Sequence, residues 1–120
     1  MQFMALLYGD PTREPAYGTP DFDAMMQGYF AFNETLKAAG HLVSGEGLQG
    51  IETATSLRIK GDKVETMDGP FAETKEHLGG YYVMDVPDLD TALKYAAMIP
   101  AAKYGTVEVR PLMTYNPAGN

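Results

Sequence analysis

The 120-residue sequence predicts an α+β fold: a βαββαβ chain with an inserted β-hairpin, its two helices on one face of an antiparallel sheet, the ferredoxin-like arrangement. Three observations predict it. Short apolar runs recur at 2–8, 81–86 and 106–110. One long stretch, 20–39, repeats its apolar residues at helical spacing. Two alternating runs meet at Gly61-Asp62.

Each element follows from its residues. In the first strand Phe3, Ala5 and Leu7 face one way and Met4, Leu6 and Tyr8 the other, so both faces are apolar. Gly9-Asp10-Pro11 ends it, and 12–19, with Pro15 and Gly18, reads as a surface loop. Thr19 can cap a helix, Pro20 suits its first position, and Asp21 and Asp23 favour the positive end of its dipole. Phe22, Met25, Met26, Tyr29, Phe32 and Leu36 then form its apolar stripe, and Gly40 follows its last turn. The segment 41–48 is a strand weakened by Gly45 and Gly47, which hint at a bulge or a close backbone approach. Runs 55–60 and 63–67 around Gly61-Asp62 form the hairpin, with Arg58, Lys60, Lys63 and Glu65 in solvent. A polar loop, 68–80, leads to the strand 81–86. Asp88 caps a second helix, with Leu89, Leu93, Ala96 and Ala97 as its buried stripe and Pro100 as its bound. The strand 106–110 completes the sheet. The chain reads as one domain over 1–115 with a frayed tail at 116–120.

Composition narrows the function. Sixteen Asp and Glu against nine Lys and Arg give a net charge of −7, which argues against nucleic-acid binding. With no cysteine, thiolate catalysis, disulfides and Cys-type zinc sites are excluded. The first residues lack the basic start of a signal peptide, and their apolar run is too short for a membrane span. A cytoplasmic protein is expected, with neither membrane nor nucleic acid as partner. Two helices cover one sheet face only, leaving Met4, Leu6 and Tyr8, or Tyr82, Met84 and Val86, bare on the other. A second copy across a two-fold axis would cover that face, so a homodimer is expected.

Several residues are candidates for chemistry. Asp68-Gly69-Pro70-Phe71 opens the loop: Gly-Pro cannot continue a strand ladder, Asp68 can bond the following turn, and Phe71 could pin the loop into the core. Glu73, Thr74, Lys75 and Glu76 crowd behind it. Glu46 lies between two glycines that would let a ligand approach, and its carboxylate could accept a proton. Lys75 and Arg110 could hold an anionic group or pair with one of the many acids. His41 and His77 are too far apart in sequence for a local metal pair, and no cofactor or metal is expected. Proton transfer by Asp68 and Glu46 is the chemistry these residues best support. Tyr8, Phe71, Glu73, Lys75, His77, Tyr81 and Arg110 would line the cleft between the sheet, the first helix and the loop.

The stretch Asp68-Gly69-Pro70-Phe71-Ala72-Glu73-Thr74-Lys75-Glu76, followed by Leu78-Gly79-Gly80-Tyr81-Tyr82, closely resembles the signature of the DGPF-domain proteins, a branch of the YCII-related family. Leu7-Tyr8-Gly9-Asp10, Ser44-Gly45-Glu46-Gly47-Leu48, Asp85-Val86-Pro87-Asp88-Leu89-Asp90 and 105–111 extend the likeness to roughly the whole of 2–112. The resemblance implies a subunit of the dimeric α+β barrel type and a small-molecule binder or enzyme. Some relatives of that family lie beside alternative sigma factors, which implies an alternative: a non-catalytic sensor or protein-interaction module in a transcriptional context. In better-known relatives a histidine on the first helix pairs with an aspartate. Here Tyr29 falls near that position. Tyrosine ordinarily titrates near ~10 and histidine near ~6.5, so that dyad is not carried over.

Overall fold

The computed structural model describes residues 1–114; the tail expected at 116–120 lies outside them. The chain runs β1 (Gln2–Gly9), α1 (Pro20–Ala38), β2 (Leu42–Gly47), a 3-10 turn (Ile51–Thr53), β3 (Thr55–Lys60), β4 (Lys63–Asp68), β5 (His77–Asp85), α2 (Leu89–Ala96), α3 (Ala101–Tyr104) and β6 (Gly105–Pro111). Four strands form an antiparallel sheet in the order β2-β5-β1-β6, and β3-β4 form a separate ribbon. With the ribbon set aside, this is the ferredoxin-like βαββαβ topology that the alternation predicts.

Register decides which side chains meet. Phe3, Ala5 and Leu7 of β1 stand opposite Met84, Tyr82 and Gly80 of β5. They also stand opposite Pro111, Val109 and Val107 of β6. Phe3, Ala5, Leu7, Tyr82 and Met84 pack with Phe32 and Leu36 of α1 and with Ala92, Ala96 and Ile99. A fully buried side chain such as Leu36 or Phe3 contributes about 1.5–3 kcal/mol. Met4, Leu6 and Tyr8 share the opposite face with Tyr81 and Val83, so β5 turns Tyr82 and Met84 inward.

The helix ends follow the local chemistry. The Thr19 hydroxyl accepts from the Phe22 amide at 3.2 Å and Pro20 occupies the first turn. Asp88 accepts from the Thr91 amide and hydroxyl at 2.8 and 2.7 Å. The buried face of α2 differs from expectation. Ala92 and Ala96 are buried, while Leu89 and Leu93 are each 47% exposed. Small residues let the helix lie close to the sheet, and the leucines flank that contact.

Two further expectations are corrected. Strand β5 begins at His77, so the polar loop is shorter than 68–80 and His77 is a strand residue. Phe71 does not pin its loop into the core: it is 69% exposed, with the Arg58 guanidinium 4.8 Å from its ring centre. The ribbon stands away from the body. The radius of gyration is 16.8 Å, against ~14 Å for a compact chain of this length. Its turn is made at Gly61, whose φ is +66°. Only one of its faces carries the expected charges. Leu57, Ile59 and Val64 share the other and are 61, 68 and 62% exposed.

Candidate functional site

A cavity of about 870 Å³ opens between α1 and the β2-β5 side of the sheet. Its origin is a pattern of glycines. Gly45 stands opposite Tyr82 and Gly47 opposite Gly80, and Gly80 stands opposite the inward-facing Leu7. Three positions beneath the helix therefore carry no side chain: the Tyr82 ring lies over Gly45, the backbone of Glu46 closes on Gly80, and Gly47 stays open to the cavity. From above it is closed by Met25, Met26, Tyr29 and Asn33, one flank of the amphipathic helix. Its volume is within the ~300–1,000 Å³ range of small-molecule sites.

The lining is mixed, with Glu34, Lys37, Gln49 and His77 alongside its apolar residues, and the groups that burial perturbs are these. Burial, the neighbouring Tyr82 phenol and the Glu14 carboxylate push the Tyr29 phenol up to about 12. Burial raises the Tyr82 phenol too, against the opposing pull of a hydrogen bond from Asn33. Both therefore stay protonated at neutral pH and can donate to a ligand oxygen. Asn33 Oδ1 is buried and has no hydrogen-bond partner among the described residues. A buried acceptor left unpaired costs about 1–3 kcal/mol, which a ligand donor would recover. Glu14 lies in the loop after β1. Its carboxylate rests against the Cα of Gly9, where any β-carbon would collide with it.

The sequence candidates separate into groups. Tyr8, Glu46, His77 and Tyr81 border the cavity. By register Glu46 faces Tyr81 and Tyr8 lies on the open side of the sheet, whereas His77 stands opposite Gly9. Asp68, Phe71, Glu73, Lys75 and Arg110 are not among its lining residues. Asp68 ends β4 opposite Thr55 at the base of the ribbon. There the tie is made by Gly69 N–H to the Ala54 carbonyl at 2.7 Å and the Ser56 hydroxyl to the Gly69 carbonyl at 2.8 Å. Phe71 lies on Arg58, and exposed Glu73 follows it in the loop. Arg110 donates to Glu108 on its own strand at 2.8 Å. Lys75 approaches Asp10 at 3.8 Å. Both cations are thus matched with acids of the chain. Among the described residues no group of three His, Cys, Asp or Glu could hold a metal, and no helix is long and apolar enough to cross a membrane.

Sequence reasoning missed Glu14, Asn33, Tyr82 and Asp10. Glu14 sits in a loop without period, and no signal nearby marks it. The alternation Gly45-Glu46-Gly47 with Gly79-Gly80 was a legible sign of a bare sheet edge. Asp10 followed by Pro11-Thr12 is a side-chain-to-backbone turn pattern.

Fold and cavity define a small ferredoxin-like α+β protein with a concave site between its first helix and its sheet. The chain belongs to the YCII-related family, whose domain matches residues 1–116. An uncharacterised protein of Rhizobium meliloti (strain 1021) is 35% identical over 119 residues, covering 98% of this chain and 96% of that protein. A solved structure of 5-chloro-2-hydroxyhydroquinone dehydrochlorinase from Burkholderia phenoliruptrix AC1100, in complex with 2,5-dihydroxybenzoquinone, superposes with a TM-score of 0.52. It covers 94% of each chain at 16% identity, so the likeness is one of fold.

Proposed function

We propose that this protein binds a small molecule in the cavity under α1 and acts on it by proton transfer through a carboxylate. The observation that carries this reading is one cavity holding the Glu14 carboxylate near the Tyr29 phenol, the Tyr82 phenol and an unpartnered amide oxygen. A carboxylate next to bound ligand can accept a proton, and neutral tyrosines can donate to the oxygen on which charge develops. Glu46 borders the cavity only through its backbone strand, since by register it shares the open sheet face with Tyr81. Asp68, at the ribbon base, belongs to this site only if another protomer brings it there. The dehydrochlorinase neighbour acts on a small ring compound, as its name states; a ring fits this volume.

The test is a melting-shift screen against uncharged ring metabolites. A ligand present at 100 times its Kd stabilises the native state by about 2.7 kcal/mol. Tyr29→Phe combined with Asn33→Leu should abolish the shift without unfolding the chain. Glu14→Gln should keep binding and remove turnover. A hit whose shift survives the double substitution defeats the assignment.

We further propose that the protein is a homodimer in which the sheet face away from the helices, with the half-buried Met4, Leu6 and Tyr81, meets its own copy. The apolar face of the ribbon supports the same reading, because Leu57, Ile59 and Val64 have no cover in the protomer. That ribbon also favours the alternative role, a protein-interaction module in a regulatory complex, located in the cytoplasm. Sedimentation equilibrium distinguishes these: a dimer disrupted by Leu6→Asp supports self-association. A monomer whose partner is lost on Val64→Asp supports the alternative.

A further inference from the structure

Between the signature loop and the cavity runs a short chain of contacts that neither the fold nor the proposed chemistry explains. Asp10 is the buried charged side chain of the described residues, 3% exposed. Its Oδ1 accepts from the Thr12 amide at 2.9 Å and the Thr12 hydroxyl at 2.6 Å. Its carbonyl accepts from the amides of Arg13 and Glu14 at 2.9 and 3.1 Å. Arg13 in turn donates to the Lys103 carbonyl at 3.0 Å. Side chain and peptide of Asp10 thus both fold the segment 10–14, and that segment delivers Glu14 onto Gly9 beside Tyr29. The remaining oxygen, Oδ2, faces Lys75 of the signature loop at 3.8 Å. Burying a carboxylate is costly unless it is paired and hydrogen-bonded, and here it is both.

We infer that Asp10 is a positioning residue that holds the Glu14 carboxylate in the cavity, with Lys75 of the signature loop as its counter-ion. This rests on the reading of the cavity as the functional site. The inference gives the signature lysine a role: it neutralises the group that shapes the loop bearing the base.

The test needs no substrate. The Tyr29 phenol reports on the charge of Glu14 and can be followed by NMR in protein carrying tyrosine labelled at Cζ, assigned with Tyr29→Phe. Glu14→Gln should lower its midpoint, since the Glu14 carboxylate is one of the three causes that raise it. Asp10→Ala should reproduce most of that fall, because the carboxylate of Glu14 is released. Asp10→Asn keeps an oxygen for Thr12 and should leave Tyr29 near its wild-type midpoint. Thr12→Val, a milder change, should move Tyr29 in the same direction by less. If Glu14→Gln moves Tyr29 while Asp10→Ala and Thr12→Val do not, the positioning role is refuted and the site reading stands. If Asp10→Asn acts as strongly as Asp10→Ala, the effect is one of charge alone and the inference is again refuted. If Glu14→Gln leaves Tyr29 unmoved, the site reading itself falls and takes the inference with it.

Discussion

Adding one methyl group at Gly45 tests how the cavity is built. A β-carbon there would lie 2.5 Å from Cδ1 and 2.9 Å from Cε1 of Tyr82, and 3.1 Å from the Tyr81 carbonyl oxygen. Ordinary carbon contact is about 3.5–4.0 Å, so the Tyr82 ring must retreat by roughly 1 Å. It has little room, because its other side meets Phe32 edge-on with ring centres 4.9 Å apart and planes at 66°. Overpacking of this kind costs about 1–3 kcal/mol, and disturbing the aromatic pair puts about 0.5–1.5 kcal/mol at risk. The stiffer unfolded chain returns about 0.4–1 kcal/mol. The expected net loss for Gly45→Ala is about 1.5 kcal/mol, a fall in Tm of about 6 °C. Gly47, two residues along the same strand, has its nearest neighbour 4.0 Å from such a carbon, and Gly47→Ala should be close to neutral. Urea melts of the two variants provide the comparison. Equal losses, or a Gly45→Ala protein within about 0.5 kcal/mol of wild type, would show that Tyr82 does not occupy this space.

Phe71→Ala should cost less than about 1 kcal/mol, the worth of an exposed cation–π contact, where a buried phenylalanine costs about 3–5 kcal/mol; a larger loss in a denaturant melt would return Phe71 to the core. Thr19→Ala should cost about 1 kcal/mol through the lost α1 cap, read the same way. The Asp88 carboxylate is held below its ordinary range by donation from the Thr91 hydroxyl and then its amide; Asp10 is held low likewise by Thr12. Each depressed group stabilises the fold above its unfolded value near 3.8, and that contribution is lost as pH falls through the lower folded value. The Tm gap between wild type and Asp88→Ala should therefore be widest at neutral pH and narrow below pH ~3. A gap that widens in acid contradicts the assignment.

The elements that periodicity could reveal were legible: the alternation of β1, the helical stripe from Phe22 to Leu36 and the paired runs around Gly61-Asp62. The start of β5 was not, because Gly79 and Gly80 look like loop residues and pair as strand only once β1 and β2 stand on either side. The α2 face was misjudged for a related reason. Leucines outrank alanines on any hydropathy scale, yet contact with a flat sheet selects Ala92 and Ala96 by size. The carboxylates of the proposed site were legible only in part. Glu46 can be placed from the chain alone, because glycines flank it. Glu14 is carried by a turn whose geometry is set at Asp10 and whose target, Tyr29, arrives from another element.

The chain measures 47 × 47 × 18 Å, a plate with a projecting arm. A plate meets more friction in water than a sphere of equal mass, so a single copy would migrate through a sizing column ahead of globular standards. Column position alone would therefore overstate the mass of one copy, and any stoichiometry for this chain has to come from a measurement that weighs the particle independently of its outline.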